Sequence, residues 1–366
     1  MSLSIGIVGL PNVGKSTLFN ALTDASVLAA NYPFATIEPN TGIVVIPDPR
    51  LEKLATIYKT QKIIPATVTF VDIAGLVAGA SQGEGLGNQF LAHIRSTSAI
   101  CQVVRAFDDS NVAHVGGQPD PRKDIEVVNT ELVLADLQTV ENRLPRLQKE
   151  AKVDPKLMLI LDALRTVKQE LEDNKSLHSS QVLQNLRISR EGFVLLESLQ
   201  LLTAKPIIYV FNVDEISLQG QALQKQLTEM VAPARAVFIC AKLEDELRGL
   251  NESDRQEMLA SYGQTDSGLV QLVHSAYEIL GLQSFLTAGE KEVRAWTIPS
   301  GSTAPQAAGV IHSDFERGFI AAQVVDYNDL LGAGSLSAAR TAGKVRTEGK
   351  DYIMQPNDVV EFRFNV

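Results

Sequence analysis

The segment Gly9-Leu10-Pro11-Asn12-Val13-Gly14-Lys15-Ser16 has the spacing G-x-x-x-x-G-K-[ST] of a phosphate-binding loop, and nothing else in the chain restricts the fold as strongly. Such a loop works only between a strand and a helix. Ser4-Ile5-Gly6-Ile7-Val8 in front of it reads as a short β-branched strand, and Ser16-Thr17-Leu18-Phe19-Asn20-Ala21-Leu22 behind it as a helix start. Gly9 and Gly14 let the backbone curl, so that successive N–H groups across Asn12, Val13, Gly14, Lys15, Ser16 and Thr17 face the phosphates of a nucleoside triphosphate. The helix N-terminus adds partial positive charge. Lys15 adds a full charge where the γ-phosphate reacts, and the Ser16 hydroxyl is a ligand for Mg²⁺.

With 366 residues, the chain has room for two or three domains. No apolar run approaches the length of a bilayer span, and the N-terminus passes at once into a strand without a signal peptide, so no membrane association is expected. Cys101 and Cys240, the two cysteines, lie in apolar strand-like runs and read as buried reduced thiols, which points to the cytoplasm. A net charge of −10 argues against a protein that coats nucleic acid, although it leaves room for a local basic face.

Further strands are expected at Thr67–Asp72, Ala99–Phe107, Pro206–Asn212 and Ala236–Cys240, with another at Gly42–Ile46. Ile207-Ile208-Tyr209-Val210-Phe211 is apolar on both faces, as a buried parallel strand should be. The alternation with helices predicts an open α/β sheet whose ligands sit at the carboxyl ends of its strands. Between Asp124 and Leu202 the pattern changes. Val133, Leu137, Val140, Leu144 and Leu147 form one helical stripe, and Leu157, Leu161, Leu164, Val167 and Leu171 a matching one. Asp154-Pro155 restarts the second helix, and Pro145 should kink or end the first. The expected partition is a nucleotide-binding domain split over 1–127 and 203–281, a helical insertion over 128–202 and a compact α+β module over 282–366.

A P-loop does not by itself separate ATPases from GTPases. Thr36, in Asn31-Tyr32-Pro33-Phe34-Ala35-Thr36, stands where a threonine can complete the Mg²⁺ shell and sense the γ-phosphate. Asp72-Ile73-Ala74-Gly75 closes a strand, so Asp72 can hold Mg²⁺ through water while the Gly75 N–H reaches the γ-phosphate. The glycines that follow (Gly79, Gly83, Gly85, Gly87) suit a loop ordered by triphosphate contacts.

Asn212-Val213-Asp214-Glu215 stands where GTP-binding proteins carry N-K-x-D. There the Asp accepts hydrogen bonds from the guanine ring N–H and amino group. Here the acid is Glu215, one methylene longer, and Val213 replaces the Lys. Two charge-assisted hydrogen bonds of about 1.5–3 kcal/mol each would be lost or misplaced for guanine. Adenine has no ring N–H to lose at that position, while Asn212 can still bond the imidazole edge of a purine. ATP is therefore favoured over GTP, with Asp214 as a shifted acid the rival reading. Cys240-Ala241-Lys242 lies in the place of the S-A-K motif that backs the base.

Taken together, Gly9–Ser16, Asn31–Gly42, Asp72–Gly87 with Asn88-Gln89-Phe90, Asn212–Glu215 and Glu348-Gly349-Lys350-Asp351-Tyr352 resemble the Obg-like ATPases of the YchF type over essentially the whole chain. The resemblance implies an α/β fold: a P-loop NTPase G domain with a coiled-coil-like helical insertion and a C-terminal β-grasp TGS domain. It implies slow ATP hydrolysis, a nucleotide-dependent switch and association with the ribosome, through rRNA or ribosomal proteins, by the TGS and helical domains of a monomer. Leu76 follows the D-x-x-G motif where many GTPases have a water-positioning Gln, and by resemblance His114 takes the catalytic role. Asn12 matches an Asn through which related enzymes use K⁺. Arg340, Lys344, Arg346 and Lys350, interrupted by Glu348, form either a basic strip able to meet phosphates or a solvated charged strand face. The alternatives are a GTPase translation factor and a non-catalytic module in which nucleotide only gates partner binding.

Overall fold

The computed structural model describes residues 3–27, 40–73, 86–108, 119–247 and 249–365. From the N-terminus come β1 (Ser4–Val8), α1 (Lys15–Val27), β2 (Thr41–Val45), α2 (Pro49–Tyr58), β3 (Ile63–Ile64), β4 (Thr67–Asp72), α3 (Leu86–Ser96) and β5 (Ala99–Arg105). Four consecutive helices follow: α4 (Pro121–Val153), α5 (Met158–Glu172), α6 (Gln181–Ile188) and α7 (Arg190–Leu199). Then come β6 (Ile207–Asn212), α8 (Gln221–Val231), β7 (Arg235–Ile239), α9 (Ala241–Glu246), α10 (Glu252–Ser261) and α11 (Gly268–Ile279).

The first sheet has the order β2-β4-β1-β5-β6-β7. β1 pairs in parallel with β4 and β5, and β6 in parallel with β5 and β7. β1 and β5 are buried along their whole length, which is why their sequences are apolar without alternation. The expected strands are all present, with ends differing by one or two residues. Cys101 and Cys240 are free and buried; burial pushes the Cys101 thiol up to about 12.

Both expected leucine stripes meet in one apolar core, where Val140, Leu164 and Val167 are wholly buried and Leu183, Leu186, Leu195 and Leu199 of α6 and α7 complete the cluster. The helix α4 does not end at Pro145 but runs through it to Val153. Pro145 is exposed, so the Glu141 carbonyl that loses its intrahelical partner can turn to water. The insertion is pinned where it returns to the sheet. Asp136 of α4, fully buried, accepts hydrogen bonds from Leu202 N (2.8 Å), Thr203 N (2.8 Å) and Thr203 Oγ1 (2.7 Å). Burial raises its pKa; the three donors and nearby Arg95 pull against that rise.

The C-terminal part comprises β8 (Leu282–Ala288), β9 (Val293–Pro299), α12 (Ala304–Ile311), α13 (Ser313–Arg317), β10 (Phe319–Asp326), α14 (Tyr327–Ala333), α15 (Leu336–Thr341), β11 (Arg346–Glu348) and β12 (Asp358–Phe364). Its mixed sheet has the order β11-β10-β12-β8-β9-β3, packed through Phe285, Ile298, Ala322 and Val324 against Ala304, Ala307 and Ala308 of α12. Two compact units result: 1–42 with 69–272, and 43–68 with 273–366. Residues 43–68, assigned to the nucleotide-binding part by sequence, group instead with the C-terminal unit. Ile63–Ile64 pair in parallel with Val293–Arg294, and Arg50 donates to the Pro356 carbonyl (2.6 Å) and Asn357 Oδ1 (3.1 Å). Pairing over such a sequence distance leaves no local signature in the chain.

Candidate functional site

The sheet order sets the carboxyl ends of β1, β5, β6 and β7 side by side, and the segments that leave those ends line a cavity of about 1000 Å³. Leu10 to Asn12 and Gly14 come from the β1–α1 loop, Lys15 to Thr17 from the start of α1, Phe107 and Asp108 from beyond the end of β5, Asn212 to Glu215 from the end of β6, and Cys240 to Lys242 from beyond β7. Open α/β sheets bind ligands at this edge.

The loop geometry has two separable causes. Gly14 has φ +92°, and a Cβ there would lie 2.4 Å from Asn212 Nδ2, so any other residue is strained in backbone and contact alike. Gly9 is needed for a different reason: its Cβ would meet the Val103 carbonyl oxygen of β5 at 2.7 Å. Asn12 also takes a left-handed conformation (φ 63°), which asparagine tolerates better than most residues.

Asn212 ties the two sides of the cavity together. Its Nδ2 donates to the Val13 carbonyl at 3.1 Å and its Oδ1 accepts from Ala241 N at 3.3 Å. One amide hydrogen and one lone pair remain for a base. Val213 is buried in the core beneath, its N–H donating to the Ile239 carbonyl, so it holds the β6 end in place and offers no cation. Asp214 is taken up locally, accepting from Ser217 N at 2.8 Å, which weighs against it as the base-reading acid. Glu215 is engaged by Lys242, whose Nζ lies 2.7 Å from its Oε1. That ion pair was not foreseen from the sequence, although both residues were.

At the phosphate end, Lys15 Nζ lies 3.3 Å from Asp72 Oδ1, with the two side chains only 11% and 18% exposed. Ser16 and Asp72 supply a hydroxyl and a carboxylate, the hard oxygen donors that suit Mg²⁺, an ion that usually keeps several waters and phosphate oxygens rather than an all-protein cage. No cluster of three or more His, Cys, Asp and Glu is present among the described residues. Thr36, Gly75 and His114 lie outside the described residues.

Phe107, Asp108, Asn20 and Asp245 line the cavity without having been expected. Arg105, 1% exposed, explains the placement of Phe107: its guanidinium lies 4.5 Å from the ring centre and its Nε donates to the Phe107 carbonyl. The signal available for Asp108 was its position just past the carboxyl end of β5, next to the P-loop strand. The C-terminal basic strip is largely compensated: Arg340 pairs with Glu361, Lys344 with Asp329, and Arg346 with Glu348 and Asp358.

A parallel sheet carrying a P-loop, a strand-end aspartate beside its lysine and an asparagine-led base loop defines a P-loop nucleotide-binding protein of the GTPase type. The family model for 50S ribosome-binding GTPases matches residues 4–143, and that for the YchF GTPase C-terminal domain, a family of unknown function, matches residues 282–365. The chain is 50% identical to the ribosome-binding ATPase YchF of Bacillus subtilis and 49% identical to that of Escherichia coli O157:H7, each over 100% of both chains. The solved Schizosaccharomyces pombe YchF GTPase superposes with a TM-score of 0.85 at 37% identity, covering 99% of this chain and 98% of that one. The chain belongs to the YchF family.

Proposed function

We propose that this chain is a slow ATPase of the cytoplasm whose nucleotide state governs its attachment to the ribosome. The observation that carries the adenine preference is the state of Glu215: the carboxylate at the guanine-reading position is lengthened and already held by Lys242 at 2.7 Å. Guanine, which needs an open carboxylate for its two donors, loses more there than adenine, which has no ring N–H to place. The relatives called ribosome-binding ATPases support both the nucleotide and the partner. The S. pombe relative is called a GTPase, and that reading requires Glu215 to leave Lys242.

ATP would lie with its phosphates along Asn12 to Thr17, Lys15 turning from Asp72 to the β- and γ-phosphates. Ser16, Thr36 and Asp72, the last through water, would hold Mg²⁺, which offsets phosphate charge when bound. Gly75 would contact the γ-phosphate, His114 would orient the attacking water in place of the missing glutamine, and Asn12 would serve K⁺. With no arginine finger assigned and no glutamine, basal turnover is expected to be slow.

Two experiments test this. His114→Ala is predicted to lower turnover at least tenfold while ATP affinity and ribosome co-sedimentation persist, as expected for a water-positioning group. Absence of turnover in the wild type, even with ribosomes, would instead establish a non-catalytic nucleotide-gated module. Lys242→Ala is predicted to lower the ATP-to-GTP affinity ratio about twofold to fivefold, the modest effect of an exposed pair, as read by calorimetry; an unchanged ratio would remove the Lys242–Glu215 pair from base selection.

A further inference from the structure

At the tip of the helical insertion, where α4 ends at Val153 and α5 begins at Met158, cations gather in excess of carboxylates. Between Arg143 and Leu159 there are five cations and two carboxylates, in a chain of net charge −10. Arg143 is spoken for by Glu150 (2.7 Å). Arg146, Lys149, Lys152 and Lys156 are exposed and form no ion pair among the described residues. This contrasts with the C-terminal strip, where Arg340, Lys344 and Arg346 all have carboxylate partners. Beside the free cations stand Val153 and Leu159, 87% and 81% exposed.

Arg146, Lys149 and Lys152 follow one another at steps of three, which places them about 4.5 Å apart along the helix axis on one slowly turning stripe. Leu147 and Ala151 between them face the insertion core, so the stripe is held outward by packing. Lys156 continues it across the turn. A row of flexible point charges suits a repeating polyanion, whereas protein interfaces concentrate energy in aromatic and arginine anchors, and the tip from Arg143 to Leu159 has no aromatic residue.

We infer that this tip is an RNA-docking surface: Arg146, Lys149, Lys152 and Lys156 grip the phosphate backbone of structured RNA, with Val153 and Leu159 covering the sugars between. The inference rests on the ribosome-associated reading and names the residues and the partner chemistry for it.

The test uses the full-length protein, ribosomes purified from Bacillus subtilis, and the RNA extracted from them. The variant Arg146→Ala/Lys149→Ala/Lys152→Ala/Lys156→Ala removes only exposed side chains, so its melting temperature and ribosome-free ATP turnover should match the wild type. Its affinity for both probes should fall at least tenfold, and the slope of log K against log salt should shrink by about 3, since each lost phosphate contact removes roughly 0.7–0.9. Arg340→Ala/Lys344→Ala/Arg346→Ala should change affinity by less than about twofold, because its cations are already paired. Wild-type slope and affinity in the tip variant would overturn the inference and leave the ribosomal reading standing. A loss on intact ribosomes with none on extracted RNA would also overturn it, by assigning the tip to a protein partner. Failure of the wild type to bind either probe would remove both.

Discussion

Lys15→Ala is expected to abolish ATP turnover and to weaken ATP binding by roughly a hundredfold or more, as the loss of two charge-assisted hydrogen bonds to phosphate implies. The fold should survive. Lys15 meets Asp72 at 3.3 Å near the cavity surface, and an Asp72 carboxylate released there is 18% exposed and can take up water. The thermal midpoint should therefore stay close to that of the wild type while calorimetric binding disappears. A variant that retained micromolar ATP affinity would mean that the loop N–H groups alone hold the phosphates. The central place given to Lys15 would then be wrong.

The largest effect on stability is expected at Asp136. Replacement by alanine leaves Leu202 N, Thr203 N and Thr203 Oγ1 without acceptors in a buried site. Stranding such donors around a vacated buried carboxylate should cost about 3–5 kcal/mol. The urea midpoint of the unit built from 1–42 and 69–272 should drop accordingly. Asp136→Asn keeps one oxygen as acceptor and should cost less. A fall of under about 1 kcal/mol for the alanine variant would show that water replaces the carboxylate, contrary to its complete burial. Since Asp136 fixes the return of the helical insertion, ribosome affinity should fall along with stability.

Much of this was legible in the chain. Strands buried on both faces announce themselves as unbroken apolar runs, and the helical stripes by their period, because both signals are local. The P-loop spacing is equally local and located the phosphate end of the cavity. The placement of 43–68 was not legible, since Ile63–Ile64 pair with Val293–Arg294 across more than half the chain. Pro145 misleads in the same way: its effect depends on exposure, which the sequence does not display. Glu215 and Lys242 were each identified from their motifs, yet their pairing follows only from β6 and β7 being neighbours. The basic strip near the C-terminus looked like an anion site because three of its acidic partners, Asp329, Asp358 and Glu361, lie on other elements.

The measurement that bears most directly on the proposed function is calorimetric affinity for non-hydrolysable ATP and GTP analogues, side by side, with Mg²⁺ and K⁺ present. Binding of the ATP analogue at least tenfold tighter, about 1.4 kcal/mol, is the predicted result. Equal or tighter binding of the GTP analogue would contradict the reading of Asn212, Glu215 and Lys242 and make the protein a GTPase.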